Sequence, residues 1–316
     1  MTRFVVCGET LIDLIRSPEG RQDAAASTWS ALSAGGPMNS DVALGRLGVP
    51  AHFLGRLSSD VFGDQLRSYL DAAGVDLALA VESDQATSLA IVSLDAAGVA
   101  TYTFHFADTA NFGWQPDELP ALDADDWLHI ASLSCVVSPG AEILLDWMKT
   151  VRAGVSYDIN VRPTVISDPA VYWRKVEPWL HAVGGHGGIV RASDEDINFL
   201  PNGHSTSDPI AVAADWVRSY SLNLAVITLG SYGAVAIEPD GRQTRVPGIP
   251  TDVVDTVGAG DTFMASFLEA RVNRELGLEE CLTRGVAAAS IVCSRRGANP
   301  PTAAEVDELV AKVGVT

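Results

Sequence analysis

The sequence predicts an α/β fold, a three-layer α/β/α sandwich with a mainly parallel central sheet and a small additional β-sheet. Three observations predict it. Short apolar runs alternate with helical patterns along most of the chain, which favours parallel strands joined by right-handed helical crossovers. Two segments, approximately 14–34 and 88–108, interrupt this alternation with strand-like patterns of their own. With 316 residues, 47% of them hydrophobic, the chain can bury the core of one domain over residues 1–316.

The predicted elements of the sandwich follow one another in order. The strand-like runs are short, apolar and bounded by turns, as strands buried on both faces are. They are Phe4–Cys7, Trp127–Ile130, Val155–Tyr157, Gly188–Val190 and Leu224–Thr228. The helical patterns are Asn39–Leu47, Phe62–Ala73, Gly140–Ala153, Tyr172–Ala182, Pro209–Tyr220, Gly260–Asn273 and Leu278–Arg295. Ligands are expected at the carboxyl ends of the strands, where Asp13, Asn160 and Gly230 would lie.

The two interrupting segments predict the small sheet. Apolar and polar residues alternate in Ser88–Phe106 around a turn at Asp95–Gly98, which indicates a β-hairpin. Pairing with strands from segment 14–34 would make a separate sheet. Such a sheet can act as a lid that excludes water, or serve in dimerisation because unpaired edges invite pairing. Both roles can hold together.

Charge and cysteine usage narrow the expected partners. The formal net charge of −19 argues against nucleic acids and anionic membranes, both of which require clustered Lys and Arg. The four cysteines are scattered, which predicts reduced thiols and a cytoplasmic location rather than disulfides or zinc. The N-terminal residues lack the pattern of a signal peptide, and no apolar stretch is long enough to span a bilayer.

A run of small residues late in the chain has the features of an anion-binding helix start. It reads Asp255-Thr-Val-Gly-Ala-Gly-Asp261, and apolar residues after it predict a helix. Unpaired N–H groups and the positive end of the dipole favour phosphate oxygens at such a point. The carboxylate of Asp261 could accept a proton from an attacking hydroxyl, which favours phosphoryl transfer to an alcohol. A tight turn in which Asp261 caps the helix is the alternative.

A second glycine motif lies near the start of the chain. Gly35 and Gly36 precede Pro37, Met38 and Asn39. The glycines allow close approach of the backbone to a ligand, and the Asn39 amide both donates and accepts, which suits sugar hydroxyls. A plain helix N-cap is the alternative. Taken together, the two motifs resemble the two signatures of the ribokinase-like, PfkB-type carbohydrate kinases.

Other segments along the whole chain are similar to the same family, and several to its fructokinase branch. They are Gly8–Asp13, Gly55–Gly63, Asp126–Ser134, Tyr157–Pro163 and Thr228–Gly233. The element that contains Asn160 and Arg162 carries most weight for the substrate class. The resemblance implies a ribokinase-like fold in which the small sheet is a lid over the sugar pocket.

The resemblance implies an ATP-dependent sugar kinase with Asp261 as general base. The backbone N–H groups of Gly258, Ala259 and Gly260 would form an anion hole for the transferring group, worth about 3–4 kcal/mol per well-placed donor. For Arg162, an exposed position with a salt-bridge partner is the alternative to a place in the site. The residues expected on the sugar side are Asp13, Gly35, Gly36, Asn39, Phe104, Asn160 and Arg162.

The nucleotide and its ions are expected at other elements of the same family pattern. The residues expected to bind ATP are Ser193, Thr228, Gly230, Gly233, Gly258, Gly260 and Asn299. Asp196 or Glu195 would order the water ligands of Mg²⁺, since this ion tends to keep several of them. Asp255 resembles part of a monovalent-cation site, with K⁺ as a possible occupant.

The choice of sugar depends on a departure from the family pattern. Phe106 stands where related kinases often carry an Arg that could bind the carboxylate of an acidic sugar, which favours a neutral sugar unless another Arg takes this role. The resemblance to the fructokinase branch makes fructose the expected sugar. A ribokinase, a 2-keto-3-deoxygluconate kinase and an adenosine kinase on the same fold stay open as alternatives. A sugar or nucleotide sensor without catalysis is the alternative outside enzymes.

Overall fold

Two β-sheets organise the chain in the computed structural model, which describes residues 1–17, 23, 25–94, 100–201 and 208–314. The strands in chain order are β1 (Arg3–Cys7), β2 (Leu11–Arg16), β3 (Trp29–Ala34), β4 (Ala51–Leu54), β5 (Arg56–Ser58), β6 (Val81–Ser83), β7 (Leu89–Leu94), β8 (Ala100–His105), β9 (Asp126–Ala131), β10 (Gly154–Asp158), β11 (Ile189–Ser193), β12 (Leu224–Thr228), β13 (Ala234–Ile237) and β14 (Gln243–Val246). A further pair, β5 with β6, is parallel and stands apart from both sheets.

The large sheet has the strand order β14-β13-β12-β11-β10-β9-β1-β4. From β4 to β12 every neighbouring pair is parallel, whereas β13 and β14 are added antiparallel at one edge. The five predicted strands are confirmed as β1, β9, β10, β11 and β12, which occupy adjacent places. The antiparallel edge was not predicted: β14 is short and largely polar, and β13 is a buried apolar run of only four residues.

Helices cover both faces of the large sheet. They are α1 (Gly36–Arg46), α2 (Val61–Ala72), α3 (Gly140–Met148), α4 (Pro169–Gly185), α5 (Asp194–Phe199), α6 (Pro209–Tyr220), α7 (Ala259–Leu268), α8 (Leu278–Cys293) and α9 (Ala303–Val313). Residues Glu269–Asn273 continue α7 as a π-helical turn. In the described ranges, no helix combines the length and the apolar character that crossing a membrane requires.

The helix boundaries differ from the predicted ones where local chemistry overrides periodicity. Helix α1 begins three residues earlier than predicted, because Pro37 is well suited to the first turn of a helix. Helix α3 ends at Met148 instead of Ala153. Helices α5 and α9 were not predicted, although Ser193 and Thr302 start them with capping boxes that are visible in the sequence.

The buried side chains form two main layers, one on each side of the sheet. Helices α3, α4, α5 and α6 pack with one set of alternating strand residues, including Val5, Leu128 and Val155. Helices α1, α2, α7 and α8 pack with the other set, including Phe4 and Val6. The predicted three-layer α/β/α sandwich is therefore confirmed.

The small sheet, which we call the lid, has the strand order β3-β2-β7-β8. Strands β7 and β8 form the predicted antiparallel pair, and β2 joins β3 antiparallel and β7 parallel. The turn predicted at 95–98 and residues 18–22 and 24 of the first predicted segment lie outside the described residues. One expectation is wrong: Asp13 does not follow β1 at the carboxyl edge of the large sheet. It lies within lid strand β2, beside Leu32 and Ala90, because β2 already begins at Leu11.

Candidate active site

A cavity of about 530 Å³ lies between the lid, the carboxyl ends of the central strands and the start of α7. The predicted site residues that line it are Asp13, Gly35, Gly36, Asn39, Phe104, Asn160, Arg162, Ser193, Glu195, Asp196, Gly258, Ala259, Gly260 and Asp261. These residues come from segments spread over most of the chain. The fold therefore gathers both glycine motifs and the polar strand ends around one space.

The start of α7 forms one wall of this cavity. Gly258 is the N-cap residue, with φ 76°, and the helix begins at Ala259. The Ala259 N–H donates to Thr256 O at 3.2 Å, whereas the N–H groups of Gly258 and Gly260 have no backbone partner among the described residues. All three residues line the cavity, so the positive end of α7 borders it. Asp261 belongs to the same turn. An anion in the cavity would thus meet helix amides and a carboxylate at one place.

Asp261 is buried and held by two asparagines. Asn39 Nδ2 donates to Oδ2 at 2.9 Å, and Asn160 Nδ2 donates to Oδ1 at 3.3 Å. Among the described residues, its carboxylate bonds to these amides and not to N–H groups of α7, so the alternative of a helix cap is wrong. Burial raises the pKa of Asp261 to about 7, against the opposing effect of the Asn39 hydrogen bond. A carboxyl group with this pKa is suited to exchange a proton near neutral pH.

Asn160 is oriented by Arg162. The guanidinium Nη1 of Arg162 donates to Asn160 Oδ1 at 2.5 Å, which leaves Nδ2 to point at Asp261. Asn160 follows β10 with a positive φ of 44°, a conformation that asparagine adopts more readily than most residues. Arg162 makes no ion pair within 4 Å in the described part of the chain. It acts on the site through the asparagine, and the alternative of an exposed salt-bridge residue is wrong.

The lid contributes a carboxylate and an apolar wall to the cavity. Asp13 of β2 lines it, and burial raises the pKa of this carboxyl group to about 6, against the opposing charge of Arg162. Leu11, Ala34 and Ala90 form an apolar cluster with Phe104 and Phe106 packed against it. A ligand under the lid would therefore contact the Asp13 carboxylate and, around it, the apolar side chains of this cluster.

The acidic residues of the predicted magnesium element lie at the start of α5. Asp196 accepts from the Val161 N–H and from the Ser193 N–H, both at 2.7 Å, and Glu195 lines the cavity beside it. No group of three or more His, Cys, Asp or Glu side chains suited to a metal occurs in the described residues. This arrangement fits Mg²⁺, which keeps several waters and is usually held by one or two carboxylates and substrate phosphates.

The remaining predicted residues lie outside the lining of the cavity. Thr228 ends β12, and its hydroxyl accepts from Arg191 at 2.6 Å. Gly230 and Gly233 bound a short 3₁₀ turn after this strand. Asn299 Oδ1 accepts from Arg46 at 2.6 Å. Their expected contact with a nucleotide stays a prediction.

Asp255 supports the loops around the start of α7. Its two oxygens accept from the N–H groups of Val257 at 3.0 Å and Gly297 at 2.9 Å. These bonds connect the segment before α7 with the segment after α8. The expected monovalent-cation site at Asp255 stays a prediction.

Two charged residues of the cavity were missed in the sequence. Glu9 is buried and accepts from Ser134 N at 3.0 Å and from Ser134 Oγ at 2.7 Å. Arg191 lies in the middle of β11 with its side chain 7% exposed. The signal for Arg191 was present, since a charged residue inside a buried apolar strand requires a partner.

Solved structures of sugar kinases share this fold. A fructokinase from Xylella fastidiosa with bound ATP superimposes with a TM-score of 0.86 at 24% identity, covering 99% of each chain. A double mutant of the Vibrio cholerae O395 fructokinase, bound to fructose, ADP and potassium ion, gives a TM-score of 0.81 at 26% identity and covers 98% of each chain.

Sequence comparison extends to curated relatives and a family model. A fructokinase from Rhizobium leguminosarum bv. trifolii is 34% identical over 303 residues, which cover 94% of this chain and 87% of the relative. A fructokinase from Salmonella typhimurium is 28% identical over 302 residues, covering 93% and 94%. The model of the pfkB family carbohydrate kinases matches residues 1–305. With a family match over nearly the whole length and a site that places a buried carboxylate at a helix N-terminus, the chain belongs to the pfkB family of carbohydrate kinases.

Proposed function

We propose that this kinase is a fructokinase, which transfers the γ-phosphate of ATP to a hydroxyl group of fructose. The observation that carries the chemistry is the Asp261 carboxylate, which two asparagines hold at the positive end of α7 inside the cavity. The relatives named fructokinase, up to 34% identical, support the choice of sugar. The lid wall formed by Leu11, Ala34, Ala90, Phe104 and Phe106 is apolar and supports a neutral sugar, with Arg162 as the cation on the sugar side of the cavity.

Asp261 is the proposed general base. Its carboxylate accepts the proton of the attacking hydroxyl while the oxygen bonds to the γ-phosphorus and the bond to the ADP oxygen breaks. The backbone N–H groups of Gly258, Ala259 and Gly260 stabilise the charge on the transferring group. Glu195 and Asp196 would hold Mg²⁺ through its water ligands, and the ion supplies charge neutralisation on the phosphates.

The sugar is proposed to lie between the lid and Asp261. The Asp13 carboxylate accepts hydrogen bonds from two neighbouring hydroxyls, and Asn39 offers its Oδ1, which has no partner in the described part of the chain. Gly35 and Gly36 border the same space, and the Phe104 ring closes it from the lid. Arg162 and Asn160 complete the polar side.

The nucleotide is proposed to run from the start of α7 toward β12. Ser193, Thr228, Gly230, Gly233 and Asn299 would line its path, as the family resemblance implies. A monovalent cation, K⁺, is proposed near Asp255, supported by the potassium ion in the Vibrio cholerae fructokinase structure.

The lid is also proposed to join two copies of the chain. Strand β3 is an edge strand of the lid sheet, with Trp29 37% and Leu32 47% exposed. Unpaired strand edges favour pairing with a second strand, so a homodimer would cover both side chains. Because ATP is the phosphate donor, we place the enzyme in the cytoplasm.

The test is ATP- and Mg²⁺-dependent ADP release with fructose, ribose, 2-keto-3-deoxygluconate, glucose and adenosine as acceptors, run beside Asp261→Asn. Turnover with fructose that disappears in the folded variant is the expected result. Preference for adenosine or the acidic sugar would keep a kinase and overturn the proposed substrate. ADP release that stays at background with every acceptor would contradict catalysis and favour a sensor.

A further inference from the structure

Arg191 is a buried cation in the floor of the cavity. It lies on β11, between β10 and β12, and its side chain is 7% exposed. Asp158, its register partner at the end of β10, is fully buried and receives Arg191 Nη1 at 3.0 Å and 3.1 Å on its two oxygens. A buried ion pair of this kind is costly to assemble, so it favours a structural demand or a function.

The second amino group of Arg191 reaches the other neighbouring strand. Nη2 donates to Thr228 Oγ1 at 2.6 Å. Because a guanidinium group donates and never accepts, the threonine hydroxyl is the acceptor in this bond and keeps its own O–H to donate elsewhere. No acceptor for that O–H occurs in the described residues. The hydroxyl is thus fixed in place, half-buried at the end of β12, by a guanidinium group that itself lines the cavity.

The guanidinium group also packs against the proposed anion hole. A Cβ atom added at Gly260 would lie 2.7 Å from Nη1 and 2.8 Å from Nη2 of Arg191. The absence of a side chain at this position therefore lets the cation sit directly behind the first turn of α7. Its charge adds to the positive end of the helix on the side where the phosphates are expected.

The cavity needs such a charge. The chain has a formal net charge of −19, and five carboxylates line the cavity: Glu9, Asp13, Glu195, Asp196 and Asp261. Arg162 and Arg191 are the cations among its described lining residues. Arg162 bonds to Asn160 on the sugar side, whereas Arg191 lies against Gly260 and Thr228 on the nucleotide side.

We propose that Arg191 is a positioning residue for the nucleotide: it holds the Thr228 hydroxyl as a hydrogen-bond donor for a phosphate oxygen and places a fixed positive charge behind Gly260. Asp158 keeps the guanidinium in this orientation. The inference rests on the proposed function, because it takes ATP and ADP as the ligands. It assigns the positioning of a diphosphate to a buried residue in the floor of the cavity.

The experiment measures ADP and fructose affinity by calorimetry, in buffer with Mg²⁺, for the full chain and three variants. Arg191→Met is expected to weaken ADP binding about tenfold or more, and Thr228→Val several-fold, since an unmade hydrogen bond to a charged ligand costs about this much. The double variant is expected to bind ADP like Arg191→Met, because the threonine hydroxyl is held in its donating position only while the arginine is present. Fructose affinity should stay within about twofold.

The KM values for ATP and fructose distinguish a role in nucleotide binding from a merely structural role, which would not change one of them selectively. Arg191→Met should raise the KM for ATP and leave the KM for fructose unchanged, whereas Arg191→Lys should recover part of the ATP affinity by keeping the charge. Since Arg191→Met leaves Asp158 buried without its partner, the pair Asp158→Asn with Arg191→Gln serves as a second variant without a buried charge. It should show the same selective loss of ADP affinity.

The outcomes separate this inference from the proposed function. Folded variants that bind ADP as tightly as the parent, or that lose ADP and fructose affinity equally, would overturn the role of Arg191. A parent protein that binds no ADP would overturn the proposed function, and the inference with it.

Discussion

The Asn39 amide and the Asp261 carboxylate are joined by a hydrogen bond of 2.9 Å across 222 positions of sequence. This bond connects the first turn of α1 with the first turn of α7, the two predicted glycine motifs. Burial favours the neutral carboxyl group, whereas the Asn39 bond favours the charged one. The balance between them leaves Asp261 able to change its protonation state near neutral pH.

Replacing Asp261 by Asn should abolish most turnover without disturbing binding. General-base catalysis contributes about 10²–10⁴-fold, so we expect kcat to fall by this factor while the calorimetric affinity for fructose stays within about threefold. The melting temperature should stay near that of the parent, because the carboxylate does not cap α7. A variant that turns over at more than a tenth of the parental rate would contradict the assignment of the base.

The rate should rise with pH through the Asp261 ionisation. The proposed base, Asp261, would work in its deprotonated form, and burial raises its pKa to about 7, so kcat/KM for the sugar should be low at pH 5 and level off above pH 8. The profile is measured at saturating ATP. Asn39→Ala removes a hydrogen bond that lowers this pKa, and its acid limb should therefore move to higher pH. An unchanged limb in Asn39→Ala would assign the ionisation to another group.

The sugar affinity should depend on the charge of Asp13. Burial raises the pKa of this carboxyl group to about 6, so fructose binding should strengthen as the pH rises through that value. Asp13→Asn should raise the KM for fructose at least tenfold, since an amide accepts hydrogen bonds less strongly than a carboxylate. The KM for ATP should not change. If both KM values rise together, Asp13 acts on the lid as a whole and not on the sugar.

Asp41 of α1 is a destabilising residue in the folded protein. It is fully buried, and neither of its carboxylate oxygens has a partner in the described ranges. Burial raises its pKa well above the ordinary carboxyl value. Asp41→Ala should therefore increase the free energy of unfolding in urea at pH 7 by about 1–3 kcal/mol.

The pH dependence of this gain has a definite sign. The folded protein holds the Asp41 proton more tightly than the unfolded chain, so the parent loses stability as the pH rises above the carboxyl pKa of the unfolded state, about 3.9. The advantage of Asp41→Ala should be smaller at pH 4 than at pH 7. Asp41→Asn is the matched control, because it removes the ionisation and keeps the shape. Parental pH dependence in Asp41→Asn would contradict the explanation.

Asp60 fastens the lid to the body of the enzyme. Its carboxylate caps α2 through the N–H groups of Phe62 and Gly63, and it also accepts from Thr87 N at 2.8 Å and Thr87 Oγ1 at 2.6 Å, next to lid strand β7. Asp60→Ala should lower the free energy of unfolding by more than a cap is worth, about 0.5–2 kcal/mol. Asp168→Ala, which removes the cap of α4 without a lid contact, is the control and should cost less.

Protonation of Asp60 at acid pH should weaken its hydrogen bonds to Thr87 and to the start of α2. Burial alone would raise the pKa of Asp60, but hydrogen bonds from Thr87 and Gly63 outweigh it and lower the pKa to about 2. The stabilisation is present above the ordinary carboxyl pKa of about 3.9 and is lost as the pH falls toward 2. Urea titrations at pH 3 and pH 6 should show a smaller gap between the parent and Asp60→Ala at pH 3. An equal gap would assign the effect to packing.

The sequence predicted what depends on local pattern. The central strands are apolar on both faces, so their runs stand out, and the glycine motifs mark where backbone approaches a ligand. The carboxylate at the start of α7 was predicted as the base from these features. Its partners Asn39 and Asn160 were predicted as sugar ligands, and their bonds to Asp261 could not be foreseen, because one strand end and two helices must first be assembled.

Residues whose role depends on distant contacts escaped prediction. Arg191 is a lone charge in an apolar strand, and only its neighbours on β10 and β12 show that it is paired. Asp13 was assigned to the wrong sheet, since β1 and β2 are separated by three residues and both read as apolar runs. A connection of three residues can lead to a strand of the same sheet or to a strand of another sheet. Which of the two forms depends on the packing of the lid strands, which the local sequence does not show.

Lid strand β3 ends at Ala34, and α1 begins at Gly36 and carries Asn39 in its first turn. Gly35 is the single residue between them, with a φ of 131° that is open to glycine and rare for other residues. A movement of the lid would therefore either turn the backbone at Gly35 or displace the amide that holds Asp261. In the second case, ATP bound without a sugar would be exposed to water while the carboxylate proposed as the base is out of position, so the phosphate would not be transferred to water.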